Sequence, residues 1–364
     1  MAAPYLSRIL IHTEALRANY AILLRHAAPA QVGAAVKADA YGLGMGPVAT
    51  ILAEEGCKTF FVANIDEALE LRALLPDAPT IAVLGGVPAN ALNETRENRL
   101  TPVLNDLDAV QAWSSHAFQR GKLLPALIHL DTGMHRLGLT EAETARLAAD
   151  TLLLGSLRIR AWMSHLACAD AFDHPMTISQ RDRFVRLLRT LPKAPASLAN
   201  SSGIFWGIGY LFDLVRPGAA LYGINPTPHR ANPLHGVVEL QAPLLEIQDV
   251  PSGASVGYGA THRFTHPARV ATVALGYADG YLRALGNKGT AKIGLFEAPV
   301  IGRISMDLTT LDVTGLPPSV AHVGAYATLM GPHRPVDALA ADAGTIGYEI
   351  LTRLGPRVIR KMVP

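Results

Sequence analysis

The sequence predicts an α/β protein, a (β/α)8 TIM barrel over residues 10–230 followed by a second, mostly β domain over residues 231–364, which the N-terminal strand 1–9 joins. Three observations predict it. Between residue 13 and about residue 230, eight short apolar runs alternate with amphipathic segments, the pattern of parallel strands separated by helices. After the proline- and glycine-containing stretch HRANPLHG, β-rich runs follow one another with turn residues between them. The chain has 364 residues, 49% of them hydrophobic and 17% charged, which is enough apolar material for one large barrel with an appendage. Periodicity alone does not close a sheet, so a doubly wound fold stays open at this point.

Each element has a local reason. TEALRANYAILLRHA has helical spacing, and QVGAAV reads as a buried strand because its apolar run is short and ends at a charge, Lys37. Residues 38–46 carry three glycines and read as a loop. Pro47 suits the first turn of the helix that VATILAEEG continues. TFFVAN precedes IDEALELRALL, TIAVLGG precedes a polar segment of weaker helical character, and LTPVLN precedes DLDAVQAWSSHAFQRG. ALIHLDTG leads to TEAETARLAADTLL, where Thr140 and Glu143 make a capping box. RIRAWMSHLA, ASLANSSG and LVRPGAALYG supply the last three strands. In the second domain VVELQAPLLEIQDV, RVATVALGYA, APVIGRISMDLTTLDV and AYATLMG are strand-forming, with helices only at DALAADAG and GYEILTRLG.

Composition narrows the function. Thirty-two Lys and Arg stand against 30 Asp and Glu, a balance without the signature of a nucleic-acid or polyanion partner. Two cysteines, Cys57 and Cys168, form no CxxC or disulfide-dense pattern, which suits a reducing compartment. The start MAAPYLSRIL lacks a signal peptide's basic and long apolar regions, and no run of membrane-spanning length is free of charge. A cytoplasmic protein is expected.

The polar residues at strand ends carry the chemistry. Lys37 and Tyr41 follow the first strand, Asp131 and Arg136 the fifth, and His165 ends the sixth. Asn200, Ser201 and Ser202 end the seventh, and Arg216 and Gly218 belong to the eighth. In a barrel these positions converge on the carboxyl-end face, where barrel enzymes act. A lone loop lysine is ordinarily solvated. A lysine, two arginines, a histidine and serines at one mouth are costly to desolvate without a ligand. The loops after strands seven and eight are where barrels bind phosphate, and a phosphate site beside a strand-end lysine suggests pyridoxal phosphate held as a Schiff base. No HExxH, cysteine pair or spaced carboxylate cluster points to a metal, and neither GxGxxG nor GxxxxGK[ST] occurs.

VKADAYGLG resembles the cofactor-lysine motif of the alanine racemases. VANIDEALELR, DTGMHRLG, MSHLA, LANSSG, VRPGAALYG, VGYGATHRF, LGYADGY, IGRISMDLTTLDVT and TIGYEIL resemble that family's blocks in its order, almost end to end. The resemblance implies racemisation of alanine on pyridoxal 5′-phosphate. It also implies a homodimer whose sites are each completed by the partner's second domain. Lys37 matches the cofactor lysine and one of two bases. Tyr258 matches the opposing base, a phenol that needs cationic neighbours to act as one; His165 and Arg216 match that network. Arg216 also matches the arginine at the pyridine nitrogen, where a guanidinium that keeps its own proton weakens the ring as an electron sink. That choice suits a racemase better than a decarboxylase or aminotransferase.

Tyr41, Asn200, Ser201, Gly218, Ala219 and Tyr348 match positions on the cofactor, chiefly its phosphate. Arg136 matches a residue near the cofactor's phenolic oxygen and the substrate carboxylate, and Met306 holds that carboxylate through its N–H from the partner. Tyr277 and Tyr348 narrow the pocket towards a methyl group, although shape alone discriminates one methylene by only about 1–3 kcal/mol. Sibling racemases of serine, lysine or several amino acids share these motifs. Two departures stand out. His129 occupies the position of a carbamylated lysine that orients the arginine in several members, and strand alternation faces it into the barrel with Asp131. Gly347 stands where proline is frequent, which is expected to loosen the loop carrying Tyr348.

Overall fold

The computed structural model describes residues 6–77, 80–171 and 173–364. Residues 1–5 of the expected N-terminal strand lie outside the described residues. Seven parallel strands form one sheet in the order Ala34–Ala35, Thr59–Val62, Thr80–Val83, Thr101–Leu104, Leu124–His129, Leu157–Met163 and Ala196–Ser197. Leu214–Val215 pairs in parallel with Gln31–Val32, directly before the first of these strands. Backbone bonds from Asp213 to Ala196 and from Arg216 to Ala199 join it to the seventh strand, so the ring closes. The first strand breaks at Gly33, where a Cβ would stand 2.7 Å from the Phe61 ring and 2.9 Å from the Thr59 carbonyl.

The helices around the ring start where their caps dictate. Asn64 accepts from Glu67 N–H, Asp106 accepts from Ala109 N–H, and Thr140 with Glu143 forms the expected reciprocal box. Thr13–Ala27 buries Leu16, Asn19, Tyr20, Leu23 and Ala27, one stripe at helical spacing. Strands inside this shell are covered on both faces, which is why their sequences are apolar without alternation.

One segment departs from the expected loop. Ala38, Asp39, Ala40 and Tyr41 have φ of 53, 53, 52 and 59°, a left-handed turn of four non-glycine residues. Each such residue costs roughly 1–2 kcal/mol. Tertiary bonds hold it: Glu67 Oε1 accepts Ala38 N–H at 2.7 Å, and Asp39 Oδ1 accepts Met45 N–H at 2.6 Å. The turn directs Tyr41 inward while Lys37 stays at the strand end.

The second domain centres on the 13-residue strand Val238–Val250. It pairs with Arg8–His12, Ala268–Val273 and Tyr326–Met330, all antiparallel, and Ile359–Val363 pairs in parallel with Arg8–His12. The first described strand therefore belongs to the second sheet, and the chain enters the barrel only afterwards. Val336–Ala343 and Gly347–Thr352 are the late helices. Gly347 has a packing reason, since a Cβ there would stand 3.1 Å from Asp337 Oδ1 and 3.3 Å from Ile224. Among the described residues no helix is long and apolar enough to cross a membrane, and both cysteines are free thiols.

Candidate active site

The carboxyl ends of the barrel strands open into a cavity of about 680 Å³, within the range of cofactor sites. Lys37, Tyr41, His129, Arg136, His165, Asn200, Ser201, Arg216, Gly218, Ala219 and Tyr348 all face it. Tyr348 arrives from the second domain of the same chain, on the helix Gly347–Thr352, with Thr352 beside it. Burial, followed by the charge of Arg136, pushes the Lys37 ammonium below the ordinary lysine range, while Glu67 opposes the shift. A larger fraction of Lys37 is therefore neutral amine at neutral pH than in a solvated lysine, and a neutral amine is the form that attacks an aldehyde.

Arg216 is buried, with no carboxylate partner among the described residues. Its guanidinium donates to Ser197 Oγ and to the carbonyls of Ser164 and Leu198, with the Leu198 bond at 3.3 Å. It also meets His165 Nδ1 at 3.4 Å. Burial pushes its pKa down to about 10, so it remains a cation near neutrality. A guanidinium has no acceptor, so His165 Nδ1 accepts and Nε2 carries the imidazole proton. Burial first, then Arg216, holds His165 well below the usual histidine range and therefore neutral.

Ser201 and Gly218 differ from simple contact residues. Ser201 Oγ accepts the N–H groups of Gly218 at 3.0 Å and Ala220 at 3.1 Å. Both lone pairs are then used, and the hydroxyl proton is left to donate into the cavity. The Gly218 N–H is engaged by this bond, which ties the loop after the seventh strand to the turn after the eighth. The Ala219 N–H begins the turn Ala219–Tyr222 and has no partner among the described residues. What Gly218 provides is room, because a Cβ there would lie 2.3 Å from Tyr41 Oη and 3.2 Å from Ala35 Cβ. Tyr41 is buried, and its ring packs at a tilt against Tyr222 with centroids 4.7 Å apart, so it has little room to retreat. Gly218→Ala is expected to cost about 1–3 kcal/mol of stability and to weaken cofactor retention. Thermal unfolding and a fluorescence titration with pyridoxal phosphate measure the two effects, and an unchanged protein in both would contradict the packing argument. Asn200 faces the cavity but spends its Oδ1 on Gly203 N–H at 2.9 Å, a bond that shapes the turn.

Tyr258, Tyr277 and Met306 do not line this chain's cavity. They are 71%, 41% and 55% exposed on the second domain. Their loops interlock: Tyr277 N–H donates to Ser305 O at 3.1 Å and Ala278 N–H to Met306 O at 2.9 Å. Gly259, beside Tyr258, packs so closely on Arg303 that a Cβ would lie 2.8 Å from its guanidinium. One exposed face thus carries all three.

Four contributing residues escaped the sequence reading: Glu67 under the left-handed turn, Ser197 under Arg216, Thr352 at the rim and Asn105 under His129. Asn105 ends the fourth strand, and the strand-end rule applied to the other strands would have found it. Asp131 is not on the cavity; it accepts from Gly133 N–H at 2.9 Å and His135 N–H at 3.1 Å and so shapes the loop before Arg136.

The residues present fit pyridoxal phosphate. An amine of lowered pKa, a hydroxyl and a backbone N–H left to donate, and a buried unpaired cation match an aldehyde, a phosphate and a ring nitrogen. Comparisons point to the same cofactor. A family model described as alanine racemase, N-terminal domain, matches residues 11–226, and one described as alanine racemase, C-terminal domain, matches residues 237–362. An alanine racemase of Acidiphilium cryptum is 48% identical over 347 residues, covering 95% of this chain and 96% of its own. One of Rhodospirillum rubrum is 44% identical over 352 residues, covering 96% and 94%. Among solved structures, the alanine racemase of Bartonella henselae with covalently bound pyridoxal phosphate has a TM-score of 0.93 at 39% identity, covering 98% of this chain and 99% of that one. The biosynthetic alanine racemase of Pseudomonas aeruginosa has a TM-score of 0.89 at 35% identity, covering 99% and 100%.

Proposed function

The chain belongs to the alanine racemase family in both of its domains, and from that premise we propose how its residues divide the reaction. The protein is an isomerase that interconverts L- and D-alanine with pyridoxal 5′-phosphate as cofactor. The cofactor, when bound, supplies the electron sink that acidifies the α-hydrogen. Everything else falls to side chains. Lys37 holds the cofactor and, at its Nζ, exchanges the α-proton on one face of the substrate. Tyr258 of the partner subunit exchanges it on the other face at its Oη, so the planar carbon need not turn over. Arg136 and the Met306 N–H bind the substrate carboxylate, and Tyr277 and Tyr348 limit the side-chain space to a methyl group. Ser201, Ala219 and Tyr41 hold the phosphate, with Tyr348 closing over it. Arg216, kept in place by Ser164, Ser197 and His165, donates to the ring nitrogen.

The observation that carries this reading is that Lys37 faces the cavity while Tyr258, exposed with Tyr277 and Met306 on one face, does not. Two bases serve one carbon only if a second copy brings that face to the cavity. The working unit is therefore a homodimer, of cytoplasmic location, with a barrel at 10–230 and a β-rich domain at 231–364. Resemblance to the biosynthetic enzyme of Pseudomonas aeruginosa favours D-alanine supply, for the cell wall, over D-alanine breakdown.

Mixing two inactive variants tests the shared site. Lys37→Ala and Tyr258→Phe proteins are dissociated, combined equally and reassembled, and racemisation is followed in D2O by α-proton exchange. A mixed dimer has one intact and one doubly damaged site, so random pairing restores roughly a quarter of wild-type activity. Mass-tagged subunits confirm exchange. No recovery despite proven exchange would place both bases in one chain and end the proposal.

A further inference from the structure

His129 ends the fifth strand, nine-tenths buried, and faces the cavity beside Arg136. Its Nδ1 lies 2.8 Å from Asn105 Oδ1. The Asn105 amide has only one workable orientation. Its Nδ2 donates to Leu84 O at 3.0 Å and reaches Val103 O at 3.4 Å, and a flipped amide would set an oxygen against both carbonyls. Asn105 Oδ1 is therefore an acceptor, His129 Nδ1 carries the proton, and Nε2 is a bare lone pair. No protein group occupies that lone pair among the described residues. Burial, reinforced by Arg216, pushes His129 down to about 4, with Asp131 opposing and Arg136 adding to the fall, so the ring is neutral in the working range.

The same two residues anchor the loop that carries Arg136. Asn105 O accepts Gly138 N–H at 3.1 Å, and His129 O accepts Leu139 N–H at 2.8 Å. Gly138, at φ +110°, lets the loop fold back so tightly that a Cβ would lie 3.2 Å from His129 Cδ2, the ring carbon beside Nε2. Arg136, two residues earlier, faces the same cavity, and its guanidinium has no hydrogen-bond or ion-pair partner among the described residues.

We propose that Asn105 and His129 are a positioning pair for Arg136: Asn105 fixes the imidazole tautomer, and the His129 Nε2 lone pair accepts an N–H of Arg136 when the site is loaded. This rests on Arg136 binding the substrate carboxylate as described above. An acceptor of this kind constrains Arg136 without neutralising it, because a neutral imidazole adds no charge. The full positive charge stays available to the substrate's carboxylate.

Two measurements test the pair. In 15N-labelled apoprotein, with His129 assigned by its loss in His129→Gln, the imidazole proton is expected on Nδ1 and Nε2 is expected bare at neutral pH. On loading with pyridoxal phosphate, the Nε2 resonance should move in the parent protein and not in Arg136→Lys. A proton on Nε2, or an identical shift in Arg136→Lys, overturns the proposal. Both results are read from spectra and hold even if the protein fails to racemise alanine, a failure that would instead strike the reading on which the role of Arg136 rests. In the active enzyme, His129→Leu should raise KM for alanine about ten- to hundredfold, the loss of one hydrogen bond to a charged group, with a smaller change in kcat. His129→Gln should recover most of it, because its amide can donate to Asn105 and its carbonyl can accept from Arg136. Adding His129→Leu to Arg136→Lys should cost little more. Losses that multiply, or an unchanged KM in His129→Leu, also overturn it.

Discussion

Lys37→Ala is expected to lower racemisation roughly 10⁴-fold or more, because one substitution removes both the covalent anchor and a proton-transfer group. The fold should survive. Lys37 is half-buried, its ammonium donates no hydrogen bond among the described residues, and it lies where burial already disfavours its charge. Removing a desolvated cation relieves a cost, so thermal unfolding of the apoprotein should be unchanged or slightly raised. The diagnostic is chemical. The parent protein loaded with cofactor should carry a visible band that borohydride abolishes, leaving a pyridoxyl group on the Lys37 peptide. In the variant the cofactor should wash out on dialysis. A label on another lysine, or a variant that keeps measurable racemisation after dialysis, would remove Lys37 from its assigned role.

The second large effect is expected at Arg216. Among the described residues its guanidinium meets only carbonyls, a hydroxyl and an imidazole, and at a pKa of about 10 it holds its proton through the working pH range. A donor of this kind leaves the ring nitrogen without a proton, and the α-carbon takes its proton back quickly. Arg216→Glu presents a carboxylate, which favours a protonated ring and a longer delay before reprotonation at the α-carbon. Racemisation should then fall about 10²-fold or more, in line with the loss of a pre-organised charge. Misplaced reprotonation should also convert alanine and pyridoxal phosphate into pyruvate and pyridoxamine phosphate, which mass spectrometry counts. A carboxylate facing the Ser164 and Leu198 carbonyls is itself destabilising. Arg216→Gln separates the effects, since its amide keeps a donor without the charge. If Arg216→Glu folds, loads cofactor and racemises without pyridoxamine phosphate, the electronic role fails.

The lateral extent of each element was legible because it depends on neighbours in the chain. Thr13–Ala27 follows the stripe of Leu16, Tyr20 and Leu23, and the Glu141–Ala149 helix begins at its Thr140–Glu143 box. The strand-end positions of Lys37, His165, Ser201 and Arg216 were equally local, and the barrel rule carried them to one face. Geometry within the site was another matter. The segment 38–41 reads as a loop and forms a left-handed turn, because Glu67 and Asp39 stabilise dihedrals that intrinsic preference opposes.

Contact between distant residues decided the rest. No sequence rule links Gly218 to Ser201, yet Ser201 takes the glycine's N–H and turns its own proton to the cavity. Tyr258 and Tyr348 both belong to the second domain, and only the folded chain separates the one that reaches its own cavity from the one that does not. The sequence by itself determined which residues stand at strand ends, since apolar runs and caps act over a few positions. Tertiary structure alone decided which hydrogen bonds those residues spend on one another, because the partners, such as Asn105 and His129, lie on different strands and meet only when those strands pair.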